Sequence, residues 1–276
     1  PLPDTLTPAA TIEHEAAGAL PRQVKMTKDP HSYRQRAYRQ VQAPADLVAS
    51  SVRVSETDLH ILADRPVERE ALEIVLQCRM AIESYAARHP AFFSSLVPLP
   101  PDPLAPPLIR EMLAAGEAAA VGPMAAVAGA IAEHVGTRLL DCGVREIIVE
   151  NGGDIFLRRQ RDCTVAIFAG QSPLSGRVGL RIEARQMPIA VCTSSGTVGH
   201  SLSFGDADSV TVLAASTPLA DAVATRLGNE VGRGGGGEGG IRQTLEVAGS
   251  FADIIGVVVI CGGLMGAVGS VELVEV

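Results

Sequence analysis

Residues 150–154 read Glu-Asn-Gly-Gly-Asp and combine accessible backbone with acidic oxygens. Apolar runs lie on both sides, and an Asn-Gly pair between two β-type runs is the strongest short-range signal for a hairpin, because both turn residues need positive φ. Glu150 and Asp154 bracket the turn. Such a segment serves a hairpin alone, or it receives a phosphate, a metal or a sugar hydroxyl, and the residue types leave these alternatives open.

Asp221 and Thr225 lie four residues apart in the segment Leu-Ala-Asp-Ala-Val-Ala-Thr. On a helix this spacing puts both residues on one face. A carboxylate and a hydroxyl would then offer two hard oxygens, which suit Mg²⁺ holding a phosphate. A first-turn Asp and a Thr bonded back to its own helix explain the same pair without a metal.

A polar segment, Thr-Ser-Ser-Gly-Thr-Val-Gly-His, occupies residues 193–200. Its hydroxyl groups and the accessible N–H groups beside glycine can cradle a phosphate. His200 can donate a hydrogen bond or act in acid–base catalysis, although a polar turn with a surface histidine is the plainer alternative. The candidate ligand-binding residues here are Ser194, Ser195, Gly196 and Thr197.

The start of a strong helix is the third candidate site. Residues 121–141 predict this helix, with a proline suited to its first turn and Gly143 to its end. A free helix N-terminus attracts anions, and the many Ala and Gly residues would also let another backbone come close. The candidate binding residues are Gly122, Pro123, Met124 and Ala125.

Strands in runs, with a few long helices, are the elements that would position these residues. Residues 47–63 predict two strands around Glu56-Thr57, and the next helix begins near Pro66 and stops at His89-Pro90. A stiff, Pro-rich connector at 98–107 follows. Further strands are predicted near 33–41 and at 145–150, 155–159, 163–169, 177–183, 188–192 and 209–214. This pattern is typical of the α+β class, with mostly antiparallel sheets packed against the helices.

Apolar patterns give further predictions. A last helix runs from Thr217 to about Asn229, and residues 232–240 form a flexible Gly-rich loop. Residues 254–271 carry no charge and are long enough to be considered as a membrane-spanning segment. However, the Val-rich runs around Gly262-Gly263 favour a buried hairpin. The predicted buried face of the first long helix consists of Leu72, Val75, Leu76, Arg79 and Ile82.

Composition and charge limit the class of protein. The chain has 276 residues, of which 47% are hydrophobic but 3% aromatic, so aliphatic residues must build the core. The formal net charge of −8 favours no nucleic-acid partner. Five scattered cysteines without C-x-x-C spacing support neither a zinc site nor a disulfide framework, and they suit a reduced, cytoplasmic protein.

Lysine is confined to Lys25 and Lys28, and every later strong cation is Arg. A P-loop lysine, a Schiff-base lysine and a lysine general base are therefore excluded from the main body. Residues 1–30 are predicted to be a flexible N-terminal arm, and residues 31–276 a single domain. The basic stretch at 22–39 either contacts an anion or a nucleic acid or, as we favour, is a solvated arm. No signal peptide is predicted.

Taken in order, four blocks resemble the ApbE-like superfamily, which includes Mg²⁺-dependent FAD:protein FMN transferases. The likeness covers about residues 31–276, and residues 56–61 and 89–96 are shared with an uncharacterised branch of that superfamily. It implies an ApbE-like fold, a flavin nucleotide (FAD or FMN), Mg²⁺, and a Ser or Thr of an acceptor protein. The blocks are VGPMAAVAGAIAE at 121–133, ENGGDIFL at 150–157, TSSGTVGHSLSFGDAD at 193–208 and LADAVAT at 219–225.

The resemblance also implies roles for residues. Asp221 and Thr225 match the Asp-x-x-x-Thr pair that holds the metal in the transferases. The segment Asn151, Gly152, Gly153 and Asp154 matches their Gly-Gly-Asp turn beside the flavin nucleotide. Gly122 to Ala125 matches the start of their Gly-Gly-x-Ala-Lys-Gly segment, with Ala126 where the family has Lys, and His200 to Gly205 is a remnant of their His-x-x-Asp-Pro block.

These features predict a protein that binds FAD with Mg²⁺ and favour a transferase of FMN. A non-catalytic flavin-binding or assembly protein is one alternative, and AMP release distinguishes it from an enzyme. A binder of another nucleotide or a small anion is the other alternative, and flavin co-purification distinguishes it. The acceptor, the pathway and the oligomeric state stay open.

Overall fold

The structure, a computed structural model, describes residues 12–13, 44–196, 205–232 and 237–276. Its helices are α1 Glu68–Arg88, α2 Pro90–Ser94, α3 Pro107–Ala119, α4 Val127–Asp141, α5 Thr217–Gly228 and α6 Gly237–Ala248. Its strands are β1 Ile12–Glu13, β2 Val48–Val54, β3 Thr57–Ala63, β4 Ile147–Asn151, β5 Asp154–Arg158, β6 Cys163–Ala166, β7 Val178–Ile182, β8 Ile189–Ser194, β9 Ser209–Ala214, β10 Ile254–Cys261, β11 Leu264–Gly269 and β12 Leu273–Glu275.

Two antiparallel sheets contain the described strands. The larger has nine strands in the order β1-β11-β10-β9-β8-β5-β4-β3-β2, and the smaller has the order β12-β7-β6. Every strand pairing is antiparallel. The α+β class with mostly antiparallel sheets is therefore confirmed.

The large sheet is covered on both faces. One face packs with the helices in the main core, which includes Ala190 and Cys192 of β8. The other face packs against the small sheet, and the intervening residues Ile189 and Val191 belong to this second core. Because side chains alternate between faces along a strand, a strand that is buried on both sides is apolar throughout, which explains the Val-rich run of β10.

The uncharged stretch at 254–271 forms the predicted hairpin, since β10 and β11 pair along their length. Gly262, in the turn, has φ of +60°. In the described parts of the chain, no single helix is long and apolar enough to cross a membrane; one pair, Pro107–Ala119 with Pro123–Asp141, passes by length and composition but is bent by 107°.

The buried face of α1 differs from the prediction. Leu72 and Leu76 are 40% and 43% exposed. The prediction gave most weight to the largest aliphatic side chains, whereas small residues that carry little apolar signal share the true face. That face consists of Ala71, Ile74, Val75, Cys78, Ile82 and Tyr85.

Three helices were missing from the prediction: the short α2 and the longer α3 and α6. The α3 helix starts at Pro107, directly after the Pro-rich connector, and a proline is well tolerated in a first turn. The α6 helix starts at Gly237, so the part of the predicted loop from 237 to 240 is helical. Glycine disfavours a helix, but Ile241 and Leu245 are buried against β11, and tertiary packing of this kind outweighs propensity.

The predicted helix at 121–141 begins as a 3-10 turn at Pro123–Ala126 and continues as α4. Gly143 follows its end with φ of +89°, as predicted for a helix stop. Close approach at small residues is also confirmed. A Cβ on Gly136 would lie 2.2 Å from the Phe156 ring, and one on Gly129 would lie 2.5 Å from the Thr217 carbonyl oxygen.

The predicted arm at 1–30 and the predicted strand near 33–41 lie outside the described residues, apart from β1. The backbone of β1 pairs with Met265 and Leu264. The division into an arm and one domain stays a prediction.

Candidate functional site

The hairpin between β4 and β5 carries the first predicted block. Its turn residues are Gly152 and Gly153, with φ of +73° and +111°, whereas Asn151 is the last strand residue and pairs with Asp154. The predicted Asn-Gly turn is therefore shifted by one residue, since glycine adopts positive φ without steric cost. The Glu150 carboxylate accepts the Gly153 N–H at 3.0 Å, so this acid serves the hairpin.

Asp154 has a different environment from Glu150. It begins β5 and pairs with Cys192 of β8, on the face of the large sheet that packs against the helices. Nearby, the Asn151 side-chain amide donates to the Ala128 carbonyl at 3.0 Å. These contacts hold the hairpin end against the start of α4.

Asp221, on α5, caps α4. No local side chain caps the α4 N-terminus, but the Asp221 carboxylate accepts the Gly129 N–H at 2.9 Å. The first N–H groups of a helix lack partners within the helix and carry partial positive charge. Asp221 therefore stabilises a helix N-terminus, as the alternative without a metal suggested, but the helix is the neighbouring α4 rather than its own α5.

A cavity of about 280 Å³ unites three of the four predicted blocks. The predicted residues that line it are Gly122, Met124, Ala125, Asp154, Asp221 and Thr225. The unpredicted lining residues are Phe93, Ser95, Leu96, Val121, Val127, Ala128 and Asn229. Its size is near the lower end of the range for small-molecule pockets. Phe93 and Leu96 belong to the shared segment at 89–96, the one signal in the sequence that could have indicated them.

The cavity is acidic. Asp154 and Asp221 are 7% and 8% exposed, and none of its described lining residues is Lys, Arg or His. Burial raises the pKa of Asp221 to about 7, against the lowering effect of the N–H groups of Gly129 and Ala128. Burial first, and then the Asp221 charge, raise the pKa of Asp154 well above its usual range.

A hard cation would relieve the cost of burying these two carboxylates. The described residues contain no group of three or more His, Cys, Asp or Glu side chains that could hold a metal by themselves. A metal here would therefore use the Asp221 carboxylate, the Thr225 hydroxyl and oxygens from outside the side chains. Mg²⁺ is usually bound in this way, through one or two carboxylates together with water and substrate phosphates.

The remaining candidates are placed as follows. Pro123 is buried in the 3-10 turn, and Ser194 is buried at the end of β8 with a hydroxyl that has no hydrogen-bond partner. Gly196 is held by its N–H bond to the Ala207 carbonyl at 2.8 Å. Neither Ser194 nor its neighbours Ser195 and Gly196 line the cavity. Thr197 and His200 lie outside the described residues.

The fold defines the class of protein. Flavin transferase ApbE from Vibrio cholerae has a similar structure, with a TM-score of 0.55 and 15% identity over 82% of this chain and 98% of that chain. The apo form of the Pseudomonas stutzeri flavinyl transferase ApbE is similar too, with a TM-score of 0.52 and 16% identity over 81% of this chain and 94% of that chain. At such low identity the likeness shows the fold alone, which is the ApbE fold.

The family follows from closer comparisons. A family model described as "AbpE bacteria" matches residues 39–237, and the chain belongs to that family. A UPF0280 protein of Methanocaldococcus jannaschii is 41% identical over 80% of this chain and 91% of its own length. Another, from Methanococcus maripaludis, is 40% identical over 80% of this chain and 90% of its own length. The predicted membership of the ApbE-like superfamily is thereby confirmed.

Proposed function

We propose that this protein binds a flavin nucleotide, FAD or FMN, together with Mg²⁺, and transfers FMN from FAD to a hydroxyl group. The observation that carries the proposal is the convergence of Asp221, Thr225, Asp154 and the segment at 122–125 on one cavity. Three separate blocks, predicted from the sequence to form one site, meet there.

Asp221 and Thr225 would hold the metal. They lie one turn apart on α5, and both line the cavity. With no basic residue among the described lining residues, the cavity favours an anionic diphosphate only when a cation accompanies it. Mg²⁺ would neutralise the diphosphate charge and polarise the reacting phosphorus.

The nucleotide would lie between polar and apolar walls. The N-terminus of α4, which carries partial positive charge, contributes Val127 and Ala128 to the cavity lining and would attract phosphate oxygens. Met124, Phe93 and Leu96 also line the cavity, and such side chains suit a planar ring. Phe93 is 67% exposed, so the cavity reaches the surface at this residue, where an acceptor would enter.

The transfer would exchange one phosphorus–oxygen bond for another. An acceptor hydroxyl, from a Ser or Thr of another protein or from water, bonds to the FMN phosphorus, and the bond from that phosphorus to AMP breaks. AMP leaves with the electron pair of that bond, and the hydroxyl proton passes to a base, for which His200 is our candidate. Positioning and charge stabilisation would supply most of the rate enhancement.

Isothermal titration of FAD, with and without Mg²⁺, tests the proposal. We expect micromolar binding that depends on Mg²⁺ and is lost in Asp221→Ala but kept in Asp253→Ala, which removes an exposed acid outside the cavity. Chromatographic detection of AMP then separates an enzyme from a binding protein. Absence of FAD binding by the unmodified chain under both conditions would refute the proposal.

A further inference from the structure

Two helices of the site cap each other. The Glu133 carboxylate of α4 accepts the N–H of Thr217, the first residue of α5, at 2.5 Å. In return, the Asp221 carboxylate of α5 accepts the Gly129 N–H in the first turn of α4. Each helix therefore supplies the acid that stabilises the N-terminus of the other.

The contact between these helices is close at Gly129, and many buried residues of both helices are small. A Cβ on Gly129 would lie 2.5 Å from the Thr217 carbonyl oxygen and 2.9 Å from the Asp221 Cβ. The buried residues of both helices include many that are small: Gly129, Ala130, Ala132 and Gly136 on α4, and Ala220, Ala222 and Ala224 on α5. A smooth surface of this kind has few interlocking side chains to fix how far one helix slides along the other.

Both helices contribute to the cavity. Val127 and Ala128 come from the start of α4, and Asp221 and Thr225 come from α5. A small slide of α5 along α4 would therefore displace the candidate metal ligands relative to the opposite wall.

We propose that Glu133 is a positioning residue for the ligand pocket: its bond to the Thr217 N–H fixes α5 along α4 and thereby sets where Asp221 and Thr225 face the cavity. This inference rests on the proposed function, since it concerns the same pocket. Glu133 does not itself line that pocket, so it acts through α5 rather than by touching the ligand.

The structure offers two independent ways to break this bond. Glu133→Ala removes the acceptor. Thr217→Pro removes the donor, and proline suits this first helical position. The preceding residue, Ser216, already has φ of −109° and ψ of 124°, which a following proline requires. Thr217→Pro also removes a buried hydroxyl that lacks a partner.

The experiment measures the Kd of FAD at saturating Mg²⁺ by isothermal titration, well below the unfolding temperature of every variant. We expect Glu133→Ala and Thr217→Pro each to weaken binding about tenfold, as for loss of one charge-assisted hydrogen bond, and the double variant to be no worse than either. Glu133→Gln, which keeps an acceptor oxygen, should retain binding within about threefold. Asp141→Ala, at the exposed end of α4, should bind normally.

Lower thermal stability of Glu133→Ala with unchanged FAD affinity would overturn the inference, because Glu133 would then only stabilise the fold. Additive losses in the double variant, or equal losses in Glu133→Gln and Glu133→Ala, would overturn it as well. Failure of the proposed function has a different signature. In that case the unmodified chain itself would not bind FAD, and there would be no pocket ligand for Glu133 to position.

Discussion

At the scale of single residues, two acids that bracket the β4–β5 turn have separate roles. The Glu150 carboxylate bonds to the Gly153 N–H within the hairpin. Asp154 instead begins the next strand and lines the cavity with Asp221. Glu150 and Asp154 are both acids in one hairpin, so position in the strand ladder decides which of them is available to a ligand.

Substitution of Asp221 by Asn should change how stability depends on pH. The pKa of Asp221 is raised from 3.8 to about 7 in the folded state, so the unfolded chain ionises first. The contribution of Asp221 to the free energy of unfolding is therefore fully present below its pKa in the unfolded chain. It is lost as the pH rises from about 4 to about 7. Without divalent metal, the unfolding temperature of Asp221→Asn should rise relative to that of the unmodified chain as the pH increases over this range. Parallel curves would contradict the expectation.

Asp154→Asn should stabilise the metal-free protein near pH 8. The buried carboxylate has a strongly raised pKa because of burial and the Asp221 charge, and an amide of the same shape avoids the cost of burying that charge. Thermal unfolding in EDTA should show a higher midpoint for this variant at pH 8 and a smaller difference at pH 5. The exposed variant Asp253→Asn should show no such gain, and a lower midpoint for Asp154→Asn would refute the argument.

At the scale of elements, the site depends on the close approach of α4 to its neighbours. Glycine at two positions lets α4 lie directly against α5 and against Phe156 of β5. The α1 helix packs differently, through a mixed face of small and large side chains. The stability of the protein should therefore be sensitive to added side-chain volume on α4 and to removed side-chain volume on the buried face of α1.

Gly129→Ala should destabilise the protein by about 2 kcal/mol or more, because the new methyl group would overlap the Thr217 backbone, which cannot move away without disturbing its bond to Glu133. Gly240→Ala is the matched control, since a Cβ there has its nearest neighbour at 3.5 Å. It should be neutral or stabilising, because alanine favours a helix. Urea unfolding of both variants checks this, and equal effects would contradict the predicted clash.

Ile74→Ala and Leu76→Ala test which face of α1 is buried. Ile74 is 5% exposed and Leu76 is 43% exposed. Loss of the buried side chain should cost about 2–4 kcal/mol, and loss of the exposed one less than about 1 kcal/mol. Denaturant unfolding gives both values. A larger loss of unfolding free energy in Leu76→Ala than in Ile74→Ala would support the buried face that the sequence predicts.

At the scale of the whole molecule, the large sheet brings distant parts of the chain to one cavity. Block 150–157 lies on the central strands, while α4 and α5 cover them from one side, and the small sheet covers the other face. The cavity therefore lies on the helix side of the large sheet, where Asp154 begins β5. Ligand binding should consequently couple to the stability of the whole fold.

FAD with Mg²⁺ should raise the unfolding temperature of the whole protein. A ligand that binds the folded state alone adds about 2.7 kcal/mol at a concentration of 100 times Kd. Thermal scans with FAD alone, with Mg²⁺ alone and with both should show the largest shift for the combination, and Asp221→Ala should abolish it. Equal shifts in Asp221→Ala would place the ligand outside the cavity.

Local pattern in the sequence was sufficient for most elements. Alternating or continuous apolar runs predicted β4 to β9 within a few residues, and the spacing of Asp221 and Thr225 placed both on one face of α5. These inferences succeed because strand alternation and helical periodicity depend on neighbours a few positions away. The α6 helix was not predicted because its Gly-rich start has a low helix propensity. The α3 helix was missed although its sequence is amphipathic, with Leu108, Ile109 and Met112 among its buried residues.

Tertiary structure alone decided how the candidates combine. It directed Asp154 into the cavity and Glu150 into the turn, and it gave Asp221 a second role as the cap of α4. It also joined Glu133 to Thr217, a pairing that no local spacing suggests. Sequence determines local conformation through short-range sterics and hydrogen bonding, whereas contacts between distant segments depend on which close-packed arrangement buries the most apolar surface without leaving polar groups unpaired.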